Sequence, residues 1–275
     1  MSKYKYSTLG ILGNPLKQSM SPEVHNYWLS KNHIKYNYCK FEIDKIKDIG
    51  CAIRKLKIKG LNVTIPFKKE IIKYLDDVDS NALKLQAVNT IDNKNGALRG
   101  YNTDIKGFTI GLNSFKSLNK KKHAVILGAG GASEAVIQSL LDYGIKEIFL
   151  MNRTKTKAEK LAEKYRQVDA KNWINKDYIN EAGIIVNSTC LGMIGYPALP
   201  LSLKHTTKNT KVYDIVYNPQ ETSFIKEAKI NKLEYTTGLS MFFGQAQESF
   251  KIWFKIRPVI DNYITSKIKK KLKRK

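Results

Sequence analysis

The sequence has 275 residues, 42% of them hydrophobic and 10% aromatic, enough to bury a core in one large or two ordinary domains and too apolar for a disordered or collagen-like chain. No run of about 18 uncharged apolar residues occurs, and the polar, lysine-bearing stretch Met1 to Tyr6 has no apolar signal region behind it, so a cytoplasmic protein without a membrane span is expected. Lys and Arg number 48 against 24 Asp and Glu, a formal charge of +24, which raises binding of nucleic acid or an anionic surface; but the excess is Lys dispersed along the chain, dense only from Lys267 to Lys275, and dispersal favours a solvated basic surface and tail, so no nucleic-acid partner is expected. Three cysteines, Cys39, Cys51 and Cys190, have no metal-type spacing and form no disulfide framework, which predicts a reducing compartment and no metal.

Short runs rich in Val and Ile alternate with stretches of helical period along almost the whole chain, which predicts α/β layers. In a first block, Tyr6 to Leu12 reads as a strand, Ser21 to Ser30 as a helix with a Ser cap and Pro22 at its first position, and Tyr36 to Ile43 as a strand. A helix over Asp44 to Leu56, a strand over Leu61 to Ile65 and a short helix after Pro66 follow. Val88 to Asp92 and Ala97 to Tyr101 then form a hairpin around Asn93 to Gly96. A second block opens with a helix over Asp104 to Asn119. Next come a strand at His123 to Leu127, a Gly-rich turn, a helix at Ala132 to Tyr143, a strand at Glu147 to Met151 and a helix at Thr154 to Tyr165. Gly183 to Asn187 and Lys211 to Val216 read as further strands, with Leu233 to Thr236 as a last one. That succession is a mononucleotide-binding unit. Leu239 to Ile256 reads as a long helix, ended near Pro258 and followed by a basic C-terminal helix.

Gly128-Ala129-Gly130-Gly131-Ala132-Ser133 follows an apolar strand and opens a helix, where glycine lets a pyrophosphate approach the backbone and the helix N-terminus offers free amides; a merely tight strand-to-helix turn is the plainer reading. At the end of the next strand, where an NAD enzyme places a carboxylate for the ribose 2′-hydroxyl, the residues are Asn152-Arg153-Thr154, and no carboxylate occurs before Glu159. Arg153, with Lys155 and Lys157, suits a 2′-phosphate instead, which predicts NADP. In the first block, Asn62, Thr64 and Lys68 fall on alternate positions at and beyond one strand and can converge on one ligand. Gln86 to Thr90, Gly100 to Asp104 and Ser19-Met20-Ser21-Pro22 add hydroxyls and amides to the same block.

These motifs together resemble the shikimate dehydrogenase family. The matching pieces are Gly13-Asn14-Pro15, Ser19, Ser21-Pro22, Asn62 to Lys68, Ala87 to Thr90, Asn102 to Asp104, Gly128 to Ser133, Asn152 to Thr154, Asn187-Ser188-Thr189 with Gly192-Met193, Asp214 with Tyr217-Asn218-Pro219, and Gly238-Leu239 with Met241 and Gln245-Ala246. They run in order over nearly all the chain. The resemblance implies two α/β domains: an N-terminal substrate-binding domain (1–103) and a Rossmann-like NADP-binding domain (104–237). C-terminal helices (238–267) pack back on the first domain, and a basic tail (268–275) follows. It implies reversible NADPH-dependent reduction of 3-dehydroshikimate to shikimate, in a monomer or homodimer, with the active site in the cleft. Ser19 and Ser21 would hold the substrate carboxylate; Thr64, Lys68, Asn89, Asp104 and Gln245 would contact ring hydroxyls, and Tyr217 would add a contact. Lys68 and Asp104 would be the catalytic pair, the ammonium protonating an alkoxide and the carboxylate orienting it. Gly128, Ala129, Gly130, Gly131, Ala132, Asn152, Arg153, Thr154, Lys157, Thr189, Gly238 and Met241 would hold the cofactor, Met241 flanking the nicotinamide.

The sequence departs from the family at three places. Ser240 replaces a common second glycine, Glu134 stands where some members have Arg and cannot neutralise a 2′-phosphate, and the tail beyond Lys267 lies outside the pattern. His25 is read as a packing or capping residue. The competing readings are a quinate/shikimate dehydrogenase that uses NAD, opposed by Arg153, and a regulator or nucleic-acid-associated protein on the same fold, opposed by the presence of both Lys68 and Asp104.

Overall fold

The structure, a computed structural model, describes residues 7–273, and side chains to residue 272; the expected strand start at Tyr6 and the basic residues Arg274 and Lys275 lie outside the described residues. The chain divides into two units: residues up to Thr103 with Ala246–Ile268, and Asp104–Gln245 with the residues after Ile268.

In the first unit, β1 (Ser7–Gly13), α1 (Ser21–Lys31), β2 (Tyr36–Glu42), α2 (Ile49–Lys55) and β3 (Gly60–Val63) lead through a 3₁₀ turn at Glu70–Tyr74 to β4 (Asp77–Val78), α3 (Ser80–Lys84), β5 (Thr90–Lys94) and β6 (Ala97–Tyr101). The six strands lie in the order β2-β1-β3-β5-β6-β4. β1 is parallel to β2 and β3, whereas β5 is antiparallel to β3 and β6. The hairpin closes on Asn95 and Gly96, both at positive φ (55° and 95°), the conformation that an Asn-Gly turn of type I′ requires. Two expectations are corrected here. Helix α1 is preceded by Met20, with no side-chain cap; the Ser19 hydroxyl instead accepts from the Ser21 N–H at 3.4 Å, so no Ser caps the helix. Helix α2 starts at Ile49 rather than Asp44 because Asp48 takes a left-handed φ of 60°, which breaks helical continuity before it.

The second unit runs α4 (Asp104–Leu112), β7 (Ala124–Leu127), α5 (Ser133–Tyr143), β8 (Ile148–Met151), α6 (Lys155–Ala162), β9 (Val168–Lys171), α7 (Lys176–Glu181), β10 (Ile184–Asn187), β11 (Lys211–Asp214), α8 (Ser223–Ile230) and β12 (Glu234–Thr237). Its sheet is parallel throughout, in the order β12-β11-β10-β7-β8-β9. Ala124, Ile126, Ile148, Leu150, Ile184 and Val186 enter one core cluster, while Val125, Leu127, Phe149, Met151, Ile185 and Val212 enter another. Alternate side chains thus serve opposite faces of a sheet covered on both sides, which is why these strands read as unbroken apolar runs. β9, α7 and α8 were not expected. β9 is a short edge strand with only Val168 buried, so it lacks such a run. The helix expected to reach Asn119 stops at Leu112.

α9 (Gly238–Phe254) begins in the second unit, and its residues from Ala246 belong to the first. There Trp253 Nε1 donates to the Ile91 carbonyl at 2.9 Å, and Trp28 Nε1 donates to that of Val259 at 3.1 Å. α10 (Asn262–Lys273) continues into the basic run. Ile264, Ile268 and Leu272, four residues apart, are buried, and Lys267, Lys269, Lys270 and Lys271 are exposed; the run is the solvated side of an amphipathic helix.

Candidate functional site

In the second unit the strand order reverses between β7 and β10, and open parallel sheets bind ligands beyond the carboxyl ends of their strands at such a point. β7 leads directly into the Gly-rich turn. Gly128 has a φ of +108°, and a Cβ there would meet Thr189 Cγ2 at 2.8 Å and Ser188 Oγ at 2.9 Å, so this glycine is demanded by the fold. Gly130 and Gly131 differ: a Cβ on either would find nothing within 4 Å. No packing reason requires them to be glycine; both are exposed, and the open space before them would let a ligand approach the backbone. The turn is held by Ser133, whose hydroxyl donates to the Gly128 carbonyl and accepts from the Gly130 N–H, both at 2.9 Å. Ser133 and Ser188, which the sequence marks only as motif positions, thereby hold together the exits of β7 and β10, their hydroxyls 3.0 Å apart.

Asn152 ties the next strand to the same place. Its Oδ1 accepts from the Ala129 N–H at 3.1 Å and its Nδ2 donates to the Thr154 carbonyl at 2.8 Å. Arg153, Thr154 and Lys157 are exposed beside it. Arg153 has no ion pair among the described residues, so its guanidinium is available for an anion. Glu134, at the start of α5, does not oppose this with an unpaired charge: it is 8% exposed and its carboxylate pairs with Lys164 Nζ at 2.6 Å. The residues present therefore fit a dinucleotide with a 2′-phosphate, which Gly128 to Ala132 and Asn152 to Lys157 would hold.

On the other side of the switch point, Thr189 follows β10, and Tyr217 follows β11 and stacks on Phe242 at 4.9 Å. Gly238 starts α9 against the Ile215 carbonyl, which a Cβ would reach at 2.0 Å. Ser240 is accommodated within the first helical turn, its hydroxyl 3.4 Å from that of Thr236. Met241 is buried in the core beside α4. Gln245 abuts Gly107, one turn after Asp104, and its Nε2 donates to the Phe242 carbonyl at 3.0 Å. Asp104 is the first residue of α4 and is 6% exposed.

In the first unit, Ser19 and Ser21 follow β1, and Thr64 and Lys68 follow the parallel strand β3. The Thr64 N–H donates to the Leu12 carbonyl at 2.9 Å and the Asn14 N–H to that of Ile65 at 3.0 Å, so the two exits are joined. The Lys68 carbonyl accepts from the Val88 N–H at 2.8 Å, which places the lysine turn next to Asn89. The Asn89 Oδ1 accepts from the Thr103 N–H at 2.8 Å, and its Nδ2 donates to the Thr103 hydroxyl at 3.0 Å. Asn62 is not a ligand-facing partner of Thr64 and Lys68. It is 5% exposed and engaged internally: Tyr38 OH donates to its Oδ1 at 2.7 Å, and its Nδ2 donates to Ser249 Oγ at 2.9 Å and Thr90 Oγ1 at 3.1 Å. Tyr38 and Ser249 were missed by sequence reasoning, since a lone Tyr in a strand and a lone Ser in a helix carry no signal. His25 packs, stacking on Tyr38 at 4.4 Å; both ring nitrogens lack partners, and burial lowers its pKa to about 3. Among the described residues no group of three or more His, Cys, Asp or Glu could hold a metal ion, and no helix is long and apolar enough to cross a membrane.

Two family descriptions match the chain, "Shikimate dehydrogenase substrate binding domain" over residues 11–91 and "Shikimate / quinate 5-dehydrogenase" over residues 110–193. Shikimate dehydrogenase (NADP(+)) of Pelagibacter ubique is 39% identical over 93% of this chain and 96% of its own. The chain belongs to the shikimate dehydrogenase family. The Aquifex aeolicus shikimate dehydrogenase structure superposes with a TM-score of 0.88 at 36% identity, covering 97% of this chain and 98% of that one. That of Thermus thermophilus, a complex with NADP(H) and shikimate, gives 0.84 at 29% identity, covering 97% and 99%. The shikimate dehydrogenase resemblance read from the motifs and the expected pair of α/β domains agree with these matches.

Proposed function

We infer that this protein is an NADP-dependent shikimate dehydrogenase that reversibly reduces 3-dehydroshikimate to shikimate, the step that feeds aromatic amino-acid biosynthesis. The observation that carries the cofactor reading is the pairing of two glycines with open space in front of them, Gly130 and Gly131, with Arg153 at the next strand exit, where a carboxylate would be needed for NAD. When bound, NADPH supplies the hydride for the substrate carbonyl. The N–H groups of Gly128, Ala129 and Gly130 are held by Met151, Asn152 and Ser133, so Gly131 and Ala132 at the start of α5 are the amides that face phosphate, and Arg153 presents a planar donor pair to the 2′-phosphate, with Thr154 and Lys157 beside it.

The Lys68 ammonium stabilises the oxygen that becomes negative as hydride arrives and gives it a proton; in the oxidative direction the neutral amine takes that proton back. Asp104 accepts a substrate hydroxyl proton in a hydrogen bond. Ser19 and Ser21 donate to the substrate carboxylate; the Ser21 N–H already bonded to the Ser19 hydroxyl supports this reading, since it holds the two close. Thr64, Asn89, Tyr217 and Gln245 contact the remaining polar groups. Asn89 is pre-set for this by Thr103, which fixes which end of its amide is donor and which acceptor. Three exposed free thiols fit a reducing cytoplasm.

The test is shikimate-dependent reduction of NADP measured beside NAD, with quinate as the alternative substrate. Turnover favouring shikimate and NADP is expected; preference for quinate with NAD would replace this reading.

A further inference from the structure

The second unit contains a carboxylate that the proposed reaction does not use. Asp214, the last residue of β11, is 0% exposed, and no Lys, Arg or His pairs with it among the described residues. A buried carboxylate without a cation is costly, and here hydrogen bonds are its whole compensation. Its three donors come from three separate places. Asn187 Nδ2 at the end of β10 donates to Oδ1 at 2.9 Å, the Val216 N–H after β11 donates to the same oxygen at 3.0 Å, and the Thr222 hydroxyl, which caps α8, donates to Oδ2 at 2.6 Å.

Because an ionised carboxylate can only accept, Asn187 must turn its amide nitrogen toward Asp214 and its oxygen the other way. That oxygen accepts from Thr189 twice, from the N–H at 3.1 Å and from the hydroxyl at 2.7 Å. The Thr189 hydroxyl proton is thereby committed, its oxygen accepts from the Leu191 N–H at 3.0 Å, and its methyl is set against Gly128. Through Val216, Asp214 also reaches the other loop: the Val216 carbonyl accepts from the Gly238 N–H at 3.2 Å, where α9 begins. One carboxylate thus fixes both loops beyond the switch point.

We propose that Asp214 is a positioning residue for the cofactor, acting through Asn187 to fix the Thr189 loop and through Val216 to fix the start of α9. This rests on the proposed NADP site. It does not make Asp214 a catalytic residue, because the groups bonded to its carboxylate are Asn187, Val216 and Thr222 of the protein itself.

The test compares Asp214→Leu, which removes every acceptor at similar volume, with Asp214→Asn, which keeps an oxygen for Asn187 and Val216. NADP affinity is read by titration calorimetry, and KM for each substrate by steady-state assay. Asp214→Leu should weaken NADP binding at least tenfold and raise the NADP KM to match, with the shikimate KM within about twofold of wild type; Asp214→Asn should recover most of the affinity. Asn187→Ala, which leaves Asp214 two of its donors, covers the case in which Asp214→Leu fails to fold, and should weaken NADP in the same way. Wild-type NADP affinity in a folded Asp214→Leu or Asn187→Ala protein overturns the proposal, as does an equal rise in both KM values. A wild type that binds NADP without oxidising shikimate would refute the functional reading alone, since the calorimetric comparison does not depend on turnover.

Discussion

Replacing Gly130 with Ala separates folding from cofactor binding in a way few substitutions in this protein can. The residue is not in the left-handed region and an added Cβ meets nothing within 4 Å, so the folded state accepts it without strain. The unfolded chain loses freedom, which at a compatible site stabilises by about 0.4–1 kcal/mol, or a rise of about 1–4 °C in Tm for a unit of this size. The N–H bond to Ser133 is retained. The methyl instead occupies the space in which a phosphate would approach the backbone. Displacing one hydrogen bond to a charged group costs about 1.5–3 kcal/mol, which is about a ten- to hundredfold loss of affinity. Gly128→Ala is the contrast, because its φ of +108° and the contacts at 2.8 and 2.9 Å make the same methyl destabilise the unliganded fold. Thermal melts without cofactor and calorimetric NADP titrations distinguish the two. A Gly130→Ala protein that binds NADP as tightly as wild type, or that melts well below it, would show that the open space before Gly130 is not the cofactor cradle.

Lys68→Ala should lower kcat by about 10²- to 10⁴-fold and leave NADP affinity unchanged; a variant that keeps most of its turnover removes Lys68 from the chemistry. Arg153→Ala should reduce the NADP-to-NAD ratio of kcat/KM by about tenfold or more, and an unmoved ratio would place the 2′-phosphate elsewhere. Acid unfolding should expose His25: its folded pKa, about 3, lies below the ordinary 6.5, so the unfolded chain takes up the proton first and stability falls as pH drops from about 6.5 toward 3. His25→Phe should flatten that limb in pH-dependent urea melts, and an unchanged slope would contradict it. Asp214 acts with the opposite sign. Burial raises its pKa to about 6 against the donors Thr222, Val216 and Asn187, so the unfolded chain releases the proton first and stability is lost as pH rises from about 4 to about 6. Asp214→Asn should remove a contribution of about 2–3 kcal/mol over that window, and identical wild-type and variant profiles would refute it.

The second unit was the more legible in sequence because its sheet is buried on both faces. Ala124 to Leu127, Ile148 to Met151 and Ile184 to Val186 are apolar runs in which every residue is enclosed, and a glycine turn between such a run and a helix has few other meanings. The hairpin was legible for a related reason, since Asn95-Gly96 supplies two positive φ values in succession. Where the signal was one-sided it failed: β9 has a single buried residue, and the capping of α1 followed backbone geometry rather than the Ser preference. Local pattern also named Arg153 and Lys68, because charge at a strand exit is visible in one dimension, whereas the role of Asp104 came from the family resemblance. The tertiary structure decided what those residues rest on. Asn62, expected beside Lys68, is turned inward by Tyr38 and Ser249; Glu134, a departure from the family pattern, is neutralised by Lys164, thirty residues away in the chain. Asp214 finds donors at Asn187, Val216 and Thr222. Hydrogen bonds between side chains far apart in sequence leave no periodicity or spacing to read, since each depends only on where the strands and helices bring the partners once the apolar faces have packed.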